Sequence, residues 1–185
     1  MLVVKKNAGI QVDNEIGRIF RGHNLIEFKS PEDHLNIDTF YKVSAYASLY
    51  KAYGRTVDEI SAEDITVTMI RSSIPEKLLE QLKNKGCTVT NPYRGIYYVT
   101  GTMMFPTQII VTGLLNVKEH IWLSSLSEGL PREQMEELLK RTESLKEKYE
   151  KELADSVLEV SIRANRKLIE ELKEDAAMCQ ILKEI

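Results

Sequence analysis

The chain has 185 residues, 43% hydrophobic and 29% charged, with a formal net charge of −3, which suffices for one core, or one core with a helical appendage. Five Pro and nine Gly argue against long disordered tracts, and no stretch approaches the roughly 20 apolar residues of a membrane span. Cys87 and Cys179 show neither paired nor metal-ligand spacing, so a reduced, cytoplasmic setting is the expectation.

Charge is unevenly spread. Residues 1–55 carry eight Lys/Arg against six Asp/Glu, and residues 56–185 carry seventeen against twenty-two. A local basic surface toward the N-terminus can face a phosphate backbone, and ordinary solvated charge accounts for the same counts.

Met1–Lys5 (MLVVK) is an apolar run long enough for one strand. Chain termini fray, so a strand starting at the first residue suggests a sequence that extends upstream or a misassigned start. Asn7–Gly9 signals a turn, and Ile10 and Val12 alternate with Gln11 and Asp13 as a second strand. Ile16, Ile19 and Phe20 fall at helical spacing, but Gly17 and Gly22 keep any helix short. His23–Ser30 is the next strand, with Leu25, Glu27 and Lys29 on one face and Ile26 and Phe28 on the other. Pro31–Asn36 is a polar connection, with Asn36 or Asp38 as cap. From Ile37, Phe40, Val43, Ala47 and Tyr50 mark one helical face, and Gly54 stops the helix.

Ile65–Ile70 (ITVTMI) alternates with period two and is β-branched, hence a strand. Pro75 opens a short helix with Leu78, Leu79 and Leu82 inward, closed by Gly86. Cys87–Thr90 reads as a strand and Asn91-Pro92 as a turn. Ile96–Thr100 and Thr107–Thr112 read as a hairpin across Gly101–Pro106. Beyond Pro131 the composition changes, with eight acids and six bases in residues 131–155. Helical periodicity continues to the terminus, so 1–130 is expected to be the sheet-bearing part and 131–185 a helical segment. Those helices must bury their apolar stripes on the sheet, on each other or on a second copy, which makes homo-oligomerisation an expectation.

An acid and a base side by side on a strand otherwise built from Leu, Ile and Phe need an explanation. A solvated edge strand is one. A metal-dependent site is the other, with Glu27 holding a divalent cation and Lys29 positioning a water or steadying charge on a phosphate. His23, His34 and His120 lack HExxH or other metal spacing, and there is no GxGxxG, phosphate-binding Gly-rich loop or G-x-S-x-G elbow.

The order strand, strand, Glu-x-Lys strand, helix, strand resembles the core of the PD-(D/E)xK nuclease superfamily. The run NEIGRIFRGHNLIEFKSPEDHLNIDTFYKVSAYASLYKAYG, the GIYYV and FPTQIIVT hairpin and LADSVLEVSIRAN look like a bacterial group related to recombination-promoting nuclease and transposase-like proteins. The resemblance implies an α/β (α+β) restriction-endonuclease-like mixed sheet with flanking helices. It implies phosphodiester hydrolysis of nucleic acid, DNA foremost, with Mg²⁺ or Mn²⁺ as cofactor. Glu27 matches the acidic metal ligand and Lys29 the catalytic lysine. Lys42 and Tyr46, four apart on the following helix, are candidates for a polar contribution to the site. The second acid of the superfamily would precede the run Leu2–Lys6, upstream of Met1, so the chain looks N-terminally shortened. Asp13 is the candidate substitute ligand, with Glu15 beside it. A chain without that acid is expected to bind Mg²⁺ weakly and to show little or no nuclease activity. The alternative is a relative that has lost catalysis and acts as a binding or interaction module.

Overall fold

The structure is a computed structural model and describes residues 1–30, 33–101 and 104–174. It divides into two compact units, Met1–Leu114 and Leu115–Ile185. The first is a mixed α+β unit built on six strands: β1 (Leu2–Lys5), β2 (His23–Phe28), β3 (Ile65–Arg71), β4 (Thr88–Tyr93), β5 (Ile96–Thr100) and β6 (Thr107–Val111). Two helices accompany them, α1 (Ile37–Ala52) and α2 (Glu76–Asn84). The second unit carries α3 (Val117–Ser124), α4 (Arg132–Ser144), α5 (Lys148–Ala164) and α6 (Arg166–Lys173).

The sheet order is β1-β2-β3-β6-β5-β4. β1 is antiparallel to β2, β2 and β3 are parallel, β3 and β6 are parallel, and β6-β5-β4 continue antiparallel. β3 is buried on both faces along Ile65–Ile70, as a central strand between parallel neighbours is, with Ile65, Val67 and Met69 on one face and Thr66 and Thr68 on the other. Leu25, Val67, Met69, Val99 and Ile109 meet Phe40, Val43 and Ala47 of α1 and Leu78, Leu79 and Leu82 of α2 in one apolar cluster. The opposite face is partly polar. There Asn24 Oδ1 accepts from Thr66 Oγ1 at 2.6 Å and from the Arg21 amide at 2.8 Å, and Gln108 Nε2 donates to Thr68 Oγ1 and the Ile16 carbonyl, both at 3.0 Å. These bonds offset the desolvation of amide and hydroxyl groups that are fully buried.

α1 starts at Asn36, whose side chain accepts from the Thr39 amide, and α2 ends through Gly86 at φ +84, a conformation that costs glycine nothing. Residues 10–13 are not a strand. They lead into a short 3-10 helix, Glu15–Ile19, capped by the Asn14 side chain. Close packing decides this: a Cβ on Gly17 would stand 2.1 Å from Val12 Cγ1, so Val12 folds over Gly17 instead of pairing with β1. Asn91-Pro92 is not a turn either. Both lie inside β4, where the register shifts between Thr90 and Tyr93, and the chain reverses at Arg94-Gly95. The bulge places Pro92, which has no N–H, where the ladder is already interrupted. The predicted β5–β6 hairpin is present.

The division at 114/115 differs from the sequence boundary at 130/131 by the α3 segment. Ile121 of α3 packs with Met135, Leu138, Leu139, Leu158, Ile169 and Leu172, so the helices of residues 115–174 bury their stripes on one another. Asn165, at the break between α5 and α6, ties the preceding loop to this cluster. Its Oδ1 accepts from the Leu130 amide, and its Nδ2 donates to the Ser127 and Ser161 carbonyls. The helical periodicity expected for residues 175–185 lies outside the described residues. No helix among the described residues is long and apolar enough to cross a membrane.

Two substitutions measure these contacts. Phe40→Ala, at a fully buried position, is expected to cost about 3–5 kcal/mol in denaturant unfolding. Asn165→Ala is expected to cost about 1–3 kcal/mol, because it leaves a buried amide and two carbonyls without their partner.

Candidate functional site

Strand pairing builds the site. β2 and β3 run in register with Leu25 opposite Val67 and Glu27 opposite Met69, so Leu25, Glu27 and Lys29 point to the face that α1 and α2 cover. Leu25 is buried in that cluster, while Glu27 and Lys29 lie two and four residues nearer the strand's carboxyl end and are only partly enclosed. The Lys29 amide donates to the Ile70 carbonyl at 2.8 Å, which carries strand geometry one residue past Phe28 and fixes the direction of the Lys29 side chain.

Glu27 is held from two sides. Its Oε1 lies 3.1 Å from Lys29 Nζ and its Oε2 3.3 Å from the Met1 ammonium. The second contact follows from register. β1 pairs antiparallel with Leu2 opposite Ile26, which places residue 1 opposite Glu27. Burial alone would raise the Glu27 pKa. The hydrogen bonds and charges of Lys29 and the N-terminal ammonium outweigh it and hold the carboxyl below its ordinary value.

The other sequence-predicted residues are placed differently. Lys42 and Tyr46 are both exposed on α1, with Lys42 Nζ 5.9 Å from the Tyr46 ring centroid. That distance suits a weak cation–π contact. Tyr46 lies one turn before Tyr50, whose hydroxyl meets His23 Nδ1 at 2.8 Å. Among the described residues, no hydrogen bond or ion pair joins Lys42 or Tyr46 to Glu27. Asp13 is exposed in the connection between β1 and β2, which leaves from Lys5 and returns at His23. Lys5 and His23 face each other, so this connection begins and ends at the opposite end of the strand pair from Glu27. The following Glu15–Ile19 turn binds Gln108 through the Ile16 carbonyl, on the sheet face away from Glu27. The structure does not bring Asp13 to Glu27, and Glu15 follows the same path.

Sequence reading missed Arg71. It ends β3, on the face of Met69 and Glu27, and continues the parallel register as the neighbour of Lys29. The available signal was a base closing an apolar strand; the pairing that places it beside Lys29 is not written in the local sequence.

These contacts bear on magnesium. A magnesium ion demands several oxygen ligands in near-octahedral array. Here one carboxylate is described, and both its oxygens face ammonium groups. As they stand, these residues do not fit a divalent cation.

Comparison with protein-family models, with curated proteins and with solved structures finds no match to this chain.

The ion pair makes a prediction. With Lys29→Met, burial is the larger remaining influence and one of the two opposing cations is gone, so the Glu27 pKa rises; acetylating the N-terminus moves it in the same direction. Carboxyl-carbon NMR titration reads both. A carboxylate with a lowered folded pKa stabilises the fold at pH above its unfolded value, about 4.3, and that contribution is lost as pH falls through the folded value. The stability difference between wild type and Glu27→Gln is therefore expected to shrink on acidification below pH ~4.

Proposed function

We propose that residues 1–114 form a nuclease-type domain directed at nucleic acid, of the restriction-endonuclease kind, whose chemistry centres on Glu27 and Lys29. The observation that carries this reading is the place of the pair in the sheet. An acid and a lysine stand two residues apart at the carboxyl end of β2, 3.1 Å from each other. β2 has an antiparallel neighbour on one side and, across a helical crossover, a parallel one on the other. The Glu-x-Lys strand, helix, strand part of the order that the resemblance implies matches this arrangement, whereas the strand expected at residues 10–13 is absent. Register adds a second support. Position 1 stands opposite Glu27, at the start of the LVVK strand, so an acid just upstream of Met1, where the resemblance puts it, would enter at the same end of the strand pair as Glu27. Mg²⁺ or Mn²⁺ belongs to a site in which a carboxylate stands there. Lys29 holds Glu27 ionised and presents its ammonium toward a substrate phosphate.

One observation favours the alternative, a binding module that does not cut. Glu27 is paired with Lys29 at 3.1 Å, a contact that neutralises its charge without a metal.

The test is a cleavage and binding assay on DNA and RNA with Mg²⁺ or Mn²⁺ and a chelator control. It compares the chain as given with one carrying Met1→Asp behind an added start methionine. Under the nuclease reading, the Asp-bearing chain cleaves in a metal-dependent way, and Lys29→Ala in it lowers the rate by about 100-fold or more. Binding by both chains without cleavage by either selects the binding module. Neither binding nor cleavage overturns the nucleic-acid reading, and cleavage that survives Lys29→Ala removes Lys29 from its role.

A further inference from the structure

A cavity of about 510 Å³ opens at the carboxyl end of β3, between the first turns of α1 and α2. Arg71, Lys77, Asp38 and Glu76 line it. In open sheets with parallel strands and crossover helices, ligands bind at this edge, because helix starts and strand ends converge there. Arg71 is the key group. Its Nη2 donates to Ser73 Oγ at 2.7 Å, while its Nε is fully buried with no acceptor. A buried donor on a cation without a partner is costly, and an anionic oxygen in the cleft would remove that cost. α2 adds donors. α1 begins with the Asn36 side chain on the Thr39 amide, whereas α2 begins at Pro75 with no side-chain cap. The first amides of α2 therefore have no acceptor within the helix.

We propose that this cleft binds a phosphate group of a nucleic-acid strand, held by Arg71 and Lys77 with the first amides of α2. The assignment of the phosphate to nucleic acid rests on the nuclease-type reading; the phosphate site itself rests on the cleft. Register puts Arg71 beside Lys29, so a phosphate held here lies next to the Glu27–Lys29 pair, as a neighbouring phosphate of the same strand would. Asp38 and Glu76 balance the charge of Arg71 and Lys77, so recognition depends on directed donors and not on a broad positive field. With about two basic contacts, the salt dependence of single-strand binding should be shallow, a log–log slope of about −1.4.

The experiment uses the full chain in chelator, where cleavage cannot contribute. Inorganic phosphate is titrated while the Arg71 Nε–H and the Lys77 and Leu78 amides are followed by ¹H–¹⁵N NMR. A 5′-phosphorylated oligonucleotide and its 5′-hydroxyl counterpart are compared by fluorescence anisotropy. Saturable shifts at those three groups are expected, with about ten-fold weaker binding for Arg71→Gln and for Lys77→Gln. Lys83→Gln, at the far end of the same helix, controls for loss of charge. Lys77 is exposed, so its variant carries the test if Arg71→Gln does not fold. Absence of saturable shifts, or equal binding by Lys77→Gln and Lys83→Gln, overturns the site. Phosphate binding with no preference for the phosphorylated oligonucleotide keeps the cleft as an anion site and removes the nucleic acid from the proposal. Failure of the Asp-bearing chain to cleave would count against the nuclease reading alone.

Discussion

Two parallel strands cannot be joined by a tight turn, so the chain leaving β2 must travel back along the sheet before β3 can begin. α1 makes that return. Its buried face, Phe40, Val43 and Ala47, covers one side of the pair, and β3 becomes a central strand buried on both faces. The site follows from the same constraint. Leu25 lies under the helix, and Glu27, two residues further along the same face, reaches partly into solvent. α2 then opens beyond the end of β3, so two helix starts and the end of β3 face one cleft.

Electrostatics at Glu27 show how small a change of context reverses a group's chemistry. A lone, partly buried carboxyl would resist ionisation. With Lys29 and the N-terminal ammonium at 3.1 and 3.3 Å, it ionises more readily than in water. That state suits a metal ligand, and yet the same two cations compete with a metal for both oxygens.

Periodicity made much of this architecture legible. Alternation in ITVTMI, the spacing of Phe40, Val43 and Ala47, and the Leu78, Leu79, Leu82 stripe are local consequences of elements that each turn one apolar face to the core. What stayed hidden depends on contacts between distant residues. Val12 alternates with its neighbours like a strand residue, but it packs on Gly17. Asn91-Pro92 carries turn chemistry, but the bulge in β4 absorbs it. Glu27 and Lys29 were visible because strand geometry alone sets them on one face. Arg71 was not, because only the β2–β3 register makes it their neighbour, and the path of the connection that carries Asp13 is not set by the local sequence.

The interrupted β4 strand also governs how the sheet meets other molecules. An edge strand is a template for a foreign strand, since its outward amides and carbonyls lack partners. β4 forms one border of the sheet, and its bulge and its proline break the regular row of donors that an incoming strand would need. β1 forms the other border and is only four residues long, ending in Lys5. Both borders are poor seeds for cross-chain β pairing, so a domain this rich in β-branched strands carries its own resistance to fibrillar assembly.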